Sequence, residues 1–107
     1  MPKFLIKGTY NADGLKGLRK DKASGREKAL VAACGAYGGK LDILYYALGD
    51  DDVFGIVDLS SHVHAASLAI AIAASGMFTS VKTVALLTVA EMDQALGEDT
   101  KYRPPGS

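Results

Sequence analysis

Two strand-like segments with only a tight turn between them constrain the fold of this chain more than any other feature. KLDILYYAL (40–48) and DVFGIVDL (52–59) are rich in aliphatic and aromatic residues, and GDDD (49–52) joins them. Parallel strands need a crossover of roughly a dozen residues or more, so these two segments must pair antiparallel. The sequence therefore predicts a central hairpin.

Before this hairpin the pattern predicts one strand and one helix. Residues 3–10 predict the strand, and NADGLKGLRKDKASG (11–25) predicts a turn with a short helical piece. The capping box Ser24–Glu27 opens the helix, and Gly38–Gly39 ends it. Its apolar face has the spacing of an amphipathic helix and consists of Leu30, Ala33, Cys34 and Tyr37.

After the hairpin the pattern predicts a helix, a strand and a small terminal helix. The helix covers residues 60–76 and starts with two capping serines, and the strand covers residues 80–89. A second capping box, Thr88 with Glu91, opens the small helix, which ends at Gly97. The order βαββαβ predicts an α+β fold of the ferredoxin-like plait type, a four-stranded antiparallel sheet with both long helices on one face.

Length and composition indicate a single intracellular domain. We expect one domain over residues 1–97, followed by a flexible tail over residues 98–107. The start MPKFLIKGTY has too few apolar residues for a signal peptide, and AASLAIAIAAS falls short of the roughly 20 residues of a membrane span. Cys34 is the only cysteine, which excludes an intramolecular disulfide. We therefore expect a cytoplasmic protein with no membrane partner.

Charge is unevenly placed although the formal net charge is zero. Residues 1–40 hold nine of the twelve Lys and Arg, and residues 41–99 hold nine of the twelve Asp and Glu. The sequence leaves two interpretations open, oppositely charged solvated faces or a basic patch that attracts an anion or an acidic partner. That patch comprises Lys16, Arg19, Lys20, Lys22, Arg26 and Lys28. Nucleic acid is not expected, because the acidic half would repel phosphates.

The three aspartates of the hairpin, Asp50–Asp52, raise the question of a metal site. Paired aspartates on a hairpin hold two divalent ions in polymerase palm domains, but that chemistry needs a further carboxylate from a neighbouring strand. The first strand, KFLIKGTY, offers none, and its lysines would repel a cation. Asp is also a common turn residue, because its side chain bonds nearby backbone. We predict a turn, with neither a metal nor a cofactor.

No catalytic residue can be assigned from the sequence. His62 and His64 are two positions apart, whereas a chelating pair on a helix needs a spacing of four. One of them, His64, stays a candidate ligand contact or general base. Cys34 falls in the buried stripe of the first long helix and is expected to pack as a small hydrophobe.

Three tyrosines complete the candidates for ligand binding. Tyr45 and Tyr46 are adjacent on a strand, so one must face the helices and the other the open side of the sheet. Tyr10 ends the first strand. Two interpretations remain open for all three, packing in the core or lining a small-molecule pocket. The candidate ligand contacts are Tyr10, Tyr45, Tyr46 and His64.

The whole pattern resembles the GYD domain family, small bacterial and archaeal proteins named for a Gly-x-Tyr-Asp motif in the central hairpin. The resemblance covers residues 3–96 and rests on GGKLDILYYALGDDDVFGIVDL, the alanine-rich helix and VKTVALLTVAEM. Gly49 and Asp52 match the motif, whereas Asp51 stands where the family has tyrosine. The resemblance implies a ferredoxin-like plait related to dimeric α+β barrels, and no established activity.

Two hypotheses of function follow. The first is an oligomeric protein that binds a small ligand without established catalysis. The second is a small enzyme of the dimeric α+β barrel type, monooxygenase- or isomerase-like, in which His64 or a tyrosine acts as acid or base in a cleft between sheet and helices.

Both faces of the predicted sheet are apolar, which predicts a homodimer or a higher homo-oligomer. Strict alternation places four residues of the first hairpin strand on the same face of the sheet: Leu41, Ile43, Tyr45 and Ala47. Phe54 and Ile56 of the next strand also point away from Val53 and Val57. Whichever face meets the helices, the other exposes more apolar surface than a monomer usually does.

Overall fold

Seven elements follow one another in the computed structural model, which describes residues 1–107. In chain order they are β1 (Lys3–Tyr10), α1 (Ala12–Gly35), β2 (Lys40–Tyr46), β3 (Val53–Asp58), α2 (His62–Ala74), β4 (Phe78–Leu86) and α3 (Val89–Gly97). The strands form one antiparallel sheet in the order β2-β3-β1-β4. This is the ferredoxin-like plait that the order of elements predicted.

The core lies between one face of the sheet and the two long helices. Phe4 of β1 pairs with Val57 of β3, and both side chains are almost fully buried. Cys34 of α1 and Leu68 of α2 pack in the same cluster, so both helices cover this face. Cys34 has no solvent exposure, as expected of a small hydrophobe, and burial raises the pKa of its thiol. Burying each large apolar side chain contributes about 1.5–3 kcal/mol.

The opposite face of the sheet is covered by neither long helix, and we call it the open face. Its apolar residues are Leu5, Ile43, Tyr45, Phe54, Ile56, Val84 and Leu86. Tyr45 is 69% exposed, Ile43 42% and Val84 40%. Lys7 and Lys82 lie directly opposite each other in the register of β1 and β4 on this face. The open face is therefore apolar with a basic centre.

A β-bulge in β2 corrects the predicted alternation. The register with β3 shifts between Leu41 and Ile43, so Asp42 is an extra residue. Leu41 consequently faces the helices together with Leu44 and Tyr46, while Ile43 points to the open face. Placing Leu41 with Ile43 was wrong, because strict alternation takes no account of a bulge.

Helix α1 also differs from its prediction. It begins thirteen residues before the predicted cap, at Asn11, whose side chain accepts a hydrogen bond of 2.8 Å from the Gly14 amide. Lys22, with φ 65° and ψ 164°, divides it into two segments. Ser24 therefore lies inside the second segment, and the predicted capping box at Ser24 was wrong. The predicted end is confirmed, since Gly38 takes a φ of +72° just beyond the helix.

The caps of the other two helices are confirmed. Ser61 accepts a hydrogen bond from the His64 amide at 3.3 Å, which opens α2. In α3 the Thr88 hydroxyl accepts from the Glu91 amide at 3.0 Å, and the Glu91 carboxylate accepts from the Thr88 amide at 2.9 Å. None of the three helices combines the length and the apolarity that crossing a membrane would take.

Candidate functional site

A cavity of about 220 Å³ opens between the covered face of the sheet and the two long helices. Small residues contribute to its lining. Gly8 and Gly55 lie in its floor on the neighbouring strands β1 and β3, and at Gly8 the Phe78 ring occupies the place of a side chain. Alanines line the helical side: Ala29 and Ala33 from α1 and Ala71 from α2. Leucine, isoleucine and valine side chains form most of the remaining wall, so the cleft is largely apolar.

Four polar side chains also line this cleft, and one of them, Ser75, already donates its hydroxyl to the Ile72 carbonyl at 2.6 Å. Tyr10 from the end of β1, Tyr46 from β2 and Arg26 from α1 contribute two hydroxyls and one guanidinium. The Tyr10 ring stacks on Phe78, with ring centres 4.6 Å apart and planes 25° from parallel. Stacking of this kind fixes the ring and limits the directions that the hydroxyl can take.

Burial raises the pKa of Tyr10. Loss of water around the hydroxyl is the largest cause that raises its pKa, and the neighbouring Tyr46 hydroxyl raises it further. The positive charge of Arg26 acts in the opposite direction, but more weakly. A tyrosine is protonated at neutral pH even at its ordinary pKa of 10.0, so Tyr10 can offer a hydrogen-bond donor to a bound molecule.

The hairpin turn holds the end of β1 that carries Tyr10. The Asp52 carboxylate accepts a hydrogen bond of 2.9 Å from the Tyr10 amide, and the Asp52 amide donates to the Gly8 carbonyl at 2.9 Å. The Asp51 carboxylate accepts from the Thr9 hydroxyl at 3.0 Å. The prediction that the aspartates form a turn is confirmed, and all three bind to β1, Asp50 through its carbonyl, which accepts from the Thr9 hydroxyl at 3.2 Å. No group of three or more His, Cys, Asp or Glu side chains is placed to hold a metal ion.

Three residues that the sequence singled out lie outside the cleft: Gly49 of the family motif and the candidate ligand contacts Tyr45 and His64. Gly49 is exposed in the turn, with open space around it. Tyr45 is on the open face, while the adjacent Tyr46 lines the cleft, so the predicted opposition of the two tyrosines is confirmed. His64 stacks on Tyr37 with ring centres 4.7 Å apart, and its Nδ1 lies 3.1 Å from the Ser60 hydroxyl.

Sequence reasoning placed Arg26 in the basic patch and missed that it lines the cleft. The signal was present in the spacing, because Arg26 precedes Leu30 by four residues and so shares its helical face. Its guanidinium lies 3.4 Å from the Asp21 carboxylate in an exposed ion pair. An exposed pair of this kind contributes little to stability, so Arg26 can exchange it for an anionic group of a ligand.

Comparison with known proteins identifies a family and a protein of similar fold. The family model described as the GYD domain matches residues 4–96. 5-Chloro-2-hydroxyhydroquinone dehydrochlorinase (TftG) from Burkholderia phenoliruptrix AC1100, solved in complex with 2,5-dihydroxybenzoquinone, is similar in structure, with a TM-score of 0.52. The two chains are 16% identical, and the match covers 76% of this chain and 89% of the dehydrochlorinase, which shows a shared fold. No curated protein matches the sequence.

Proposed function

This chain belongs to the GYD domain family, and we propose that it is a homodimeric protein that binds a small, single-ring molecule in the cleft between its sheet and its two long helices. The ligand class that fits is a single ring with one or two acidic groups, such as a hydroxyquinone or a hydroxybenzoate.

The observation that carries this proposal is the composition of the cleft. Its apolar walls favour a molecule without many polar groups, and its volume of about 220 Å³ limits the size. An engineered apolar cavity of roughly 150 Å³ already takes up benzene, so this cleft has room for one ring with a few substituents. The two tyrosine hydroxyls and Arg26 would bind an oxygen that carries negative charge.

The fold relative supports the choice of a first ligand to test. The dehydrochlorinase is complexed with 2,5-dihydroxybenzoquinone, a single ring with hydroxyl oxygens. Because the similarity shows a shared fold alone, we use this compound only as a first probe of the proposed ligand class.

The test is a titration followed by amide chemical shifts in ¹⁵N-labelled protein. We expect 2,5-dihydroxybenzoquinone or 4-hydroxybenzoate to shift the amides of Gly8, Val53 and Gly55. Tyr46→Phe should weaken binding about tenfold, because one hydrogen bond to a charged oxygen is lost. Tyr45→Phe is the matched control, since its ring is on the opposite face, and should leave binding unchanged. Equal effects of the two variants would contradict the proposal, as would the absence of any shift at the cleft.

A second candidate function is catalysis by a monooxygenase- or isomerase-like enzyme of the dimeric α+β barrel type. The observation that favours it is the position of the Tyr10 hydroxyl in an apolar cleft, where it can donate a hydrogen bond to an oxygen of a bound ring and stabilise negative charge that develops there. His64 lies outside this cleft, so the tyrosine is the better candidate. Conversion of a bound ring over time, lost in Tyr10→Phe, would favour the enzyme, and an unchanged ring favours binding alone.

The homodimer of this proposal forms through the open face. An antiparallel sheet with one uncovered face is stable when that face is polar, but here seven of its residues are apolar. A two-fold axis lets the same patch cover itself in a second copy. Light scattering should give twice the chain mass of 11.2 kDa, and a mass equal to that of one chain would contradict the dimer.

We also place the protein in the cytoplasm, where the lone thiol of Cys34 stays reduced.

A further inference from the structure

Residues 87–98, which include α3, are another part of the molecule that no other part of the same chain buries. We call it the C-terminal arm. Every residue from 87 to 107 is exposed, and α3 has no buried residue. The arm nevertheless carries an apolar stripe at helical spacing, Val89, Met92 and Leu96, which are 82%, 48% and 71% exposed.

A helix of this length does not stabilise itself. Isolated helices shorter than about 12–15 residues are marginal in water, and α3 has nine. Its capping box is complete, so the helix start is well defined, but no residue of the stripe is buried by the same chain. A second surface must cover the stripe if α3 is to be stable.

We propose that the C-terminal arm packs against the open face of a second copy of this chain, in the same two-fold dimer that covers the open faces. This inference rests on the dimer of the proposed function and adds the element that completes its interface.

The area that a stable dimer needs supports a second copy as the occupant. A standard interface covers about 800 Å² per partner, of which roughly 500 Å² is apolar in homodimers. A fully exposed aliphatic side chain offers about 100 Å². By their exposed fractions, the open-face residues offer at most roughly 300 Å² and the stripe with Leu87 roughly 250 Å². The open face alone falls short of the requirement, and the open face with the arm meets it.

Charge complementarity also supports this arrangement. Lys7 and Lys82 lie directly opposite each other on the open face, and such like-charged pairs are unfavourable. One carboxylate, that of Asp51, lies within 4.0 Å of Lys82. The arm carries the carboxylates of Glu91, Asp93 and Glu98 and no Lys or Arg, with Asp93 beside the apolar stripe. An acidic arm over this basic centre would offset the repulsion.

The test uses the full chain with a charge added to either side of α3. Leu96→Glu places a carboxylate in the stripe, and Gln94→Glu places the same charge on the opposite side of the helix. By sedimentation equilibrium we expect Leu96→Glu to weaken the dimer at least about 100-fold, because each of the two copies loses a buried leucine. Gln94→Glu should weaken it less than about twofold. Unchanged circular dichroism and amide exchange in β1 and β3 would show that both variants keep the fold.

Amide hydrogen exchange gives a second, independent readout. We expect exchange of the α3 amides to slow as protein concentration rises through the dimerisation range. A dimer as strong in Leu96→Glu as in the unmodified chain, or α3 amides that exchange fast while the dimer forms, would overturn this inference alone. A protein that stays monomeric at all concentrations would overturn both the inference and the proposed dimer.

Discussion

Gly14 and Gly17 stand three residues apart in α1, and replacing each by alanine should change stability in opposite directions. A Cβ atom at Gly14 would lie 2.0 Å from the Met77 carbonyl oxygen and 2.7 Å from the Tyr10 ring. A Cβ atom at Gly17 would have nothing within 4 Å. The same substitution in the same helix therefore separates a steric requirement from helix propensity.

The magnitude follows from the contacts that Gly14→Ala would break. The loop before β4 is docked on the start of α1, since the Asn11 amide donates to the Met77 carbonyl at 3.0 Å and the Asn11 side chain to the Gly76 carbonyl at 2.6 Å. Forcing this backbone away costs about 1–3 kcal/mol of overpacking and about 1 kcal/mol for each hydrogen bond lost. We expect a total of roughly 3 kcal/mol. Gly17→Ala should instead stabilise the chain by about 0.5–1 kcal/mol.

Urea denaturation followed by circular dichroism measures both effects at one fixed protein concentration, because the proposed dimer would make the midpoint depend on concentration. The slope of the transition should not change between the variants. If Gly14→Ala proved as stable as Gly17→Ala, the docking of the loop on α1 would be refuted, and with it the placement of Tyr10 at the end of the cleft.

Three further predictions concern the turn, the cleft floor and the terminal helix. Asp52→Ala leaves a half-buried amide of β1 unpaired and should cost about 1–3 kcal/mol in urea denaturation, whereas Asp50→Ala should cost nothing measurable. Gly8→Ala should lower the midpoint of thermal unfolding, because its Cβ would lie 2.9 Å from the Phe78 ring. An unchanged midpoint would refute the close packing of Phe78 on Gly8. The Thr88 amide and hydroxyl lower the pKa of Glu91, so the capping box is intact above the ordinary value of 4.5 and is lost as pH falls through the lowered value. Chemical shifts of α3 against pH should show that loss, and Glu91→Gln should not.

The fold was predictable because local signals and chain geometry agreed. The turn between β2 and β3 is too short for anything but a hairpin, and the caps at Ser61 and Thr88 mark helix starts by their own hydrogen bonds. Such features depend on residues within four positions of one another. They can be recognised in the sequence without knowing what packs around them.

The errors arose where distant residues decide the local structure. The glycines of the first part of α1 suggested a weak helix, but Gly14 is required by the close approach of Met77, sixty-three positions away. The bulge at Asp42 is accompanied by its ion pair of 2.6 Å with Lys3, a residue on another strand. Neither contact leaves a pattern in the neighbouring sequence.

The candidate site was predictable in part for the same reason. Alternation along β2 correctly separated Tyr45 from Tyr46, which are local neighbours. The approach of Tyr10, Tyr46 and Arg26 to one cleft depends on how two strands and a helix pack, so the sequence could list these residues without grouping them.

The central claim is that the cleft between the sheet and the two long helices binds a single-ring molecule. Contacts between a bound ring and individual methyl groups test this claim most directly. Nuclear Overhauser effects should be measured on methyl-labelled protein with 2,5-dihydroxybenzoquinone, whose ring protons are the reporters. The proposed function predicts contacts from these protons to the methyl groups of Leu44, Leu68 and Ile72, which line the cleft. Contacts to Ile43 and Val84 of the open face instead, or to no methyl group at millimolar ligand, would contradict it.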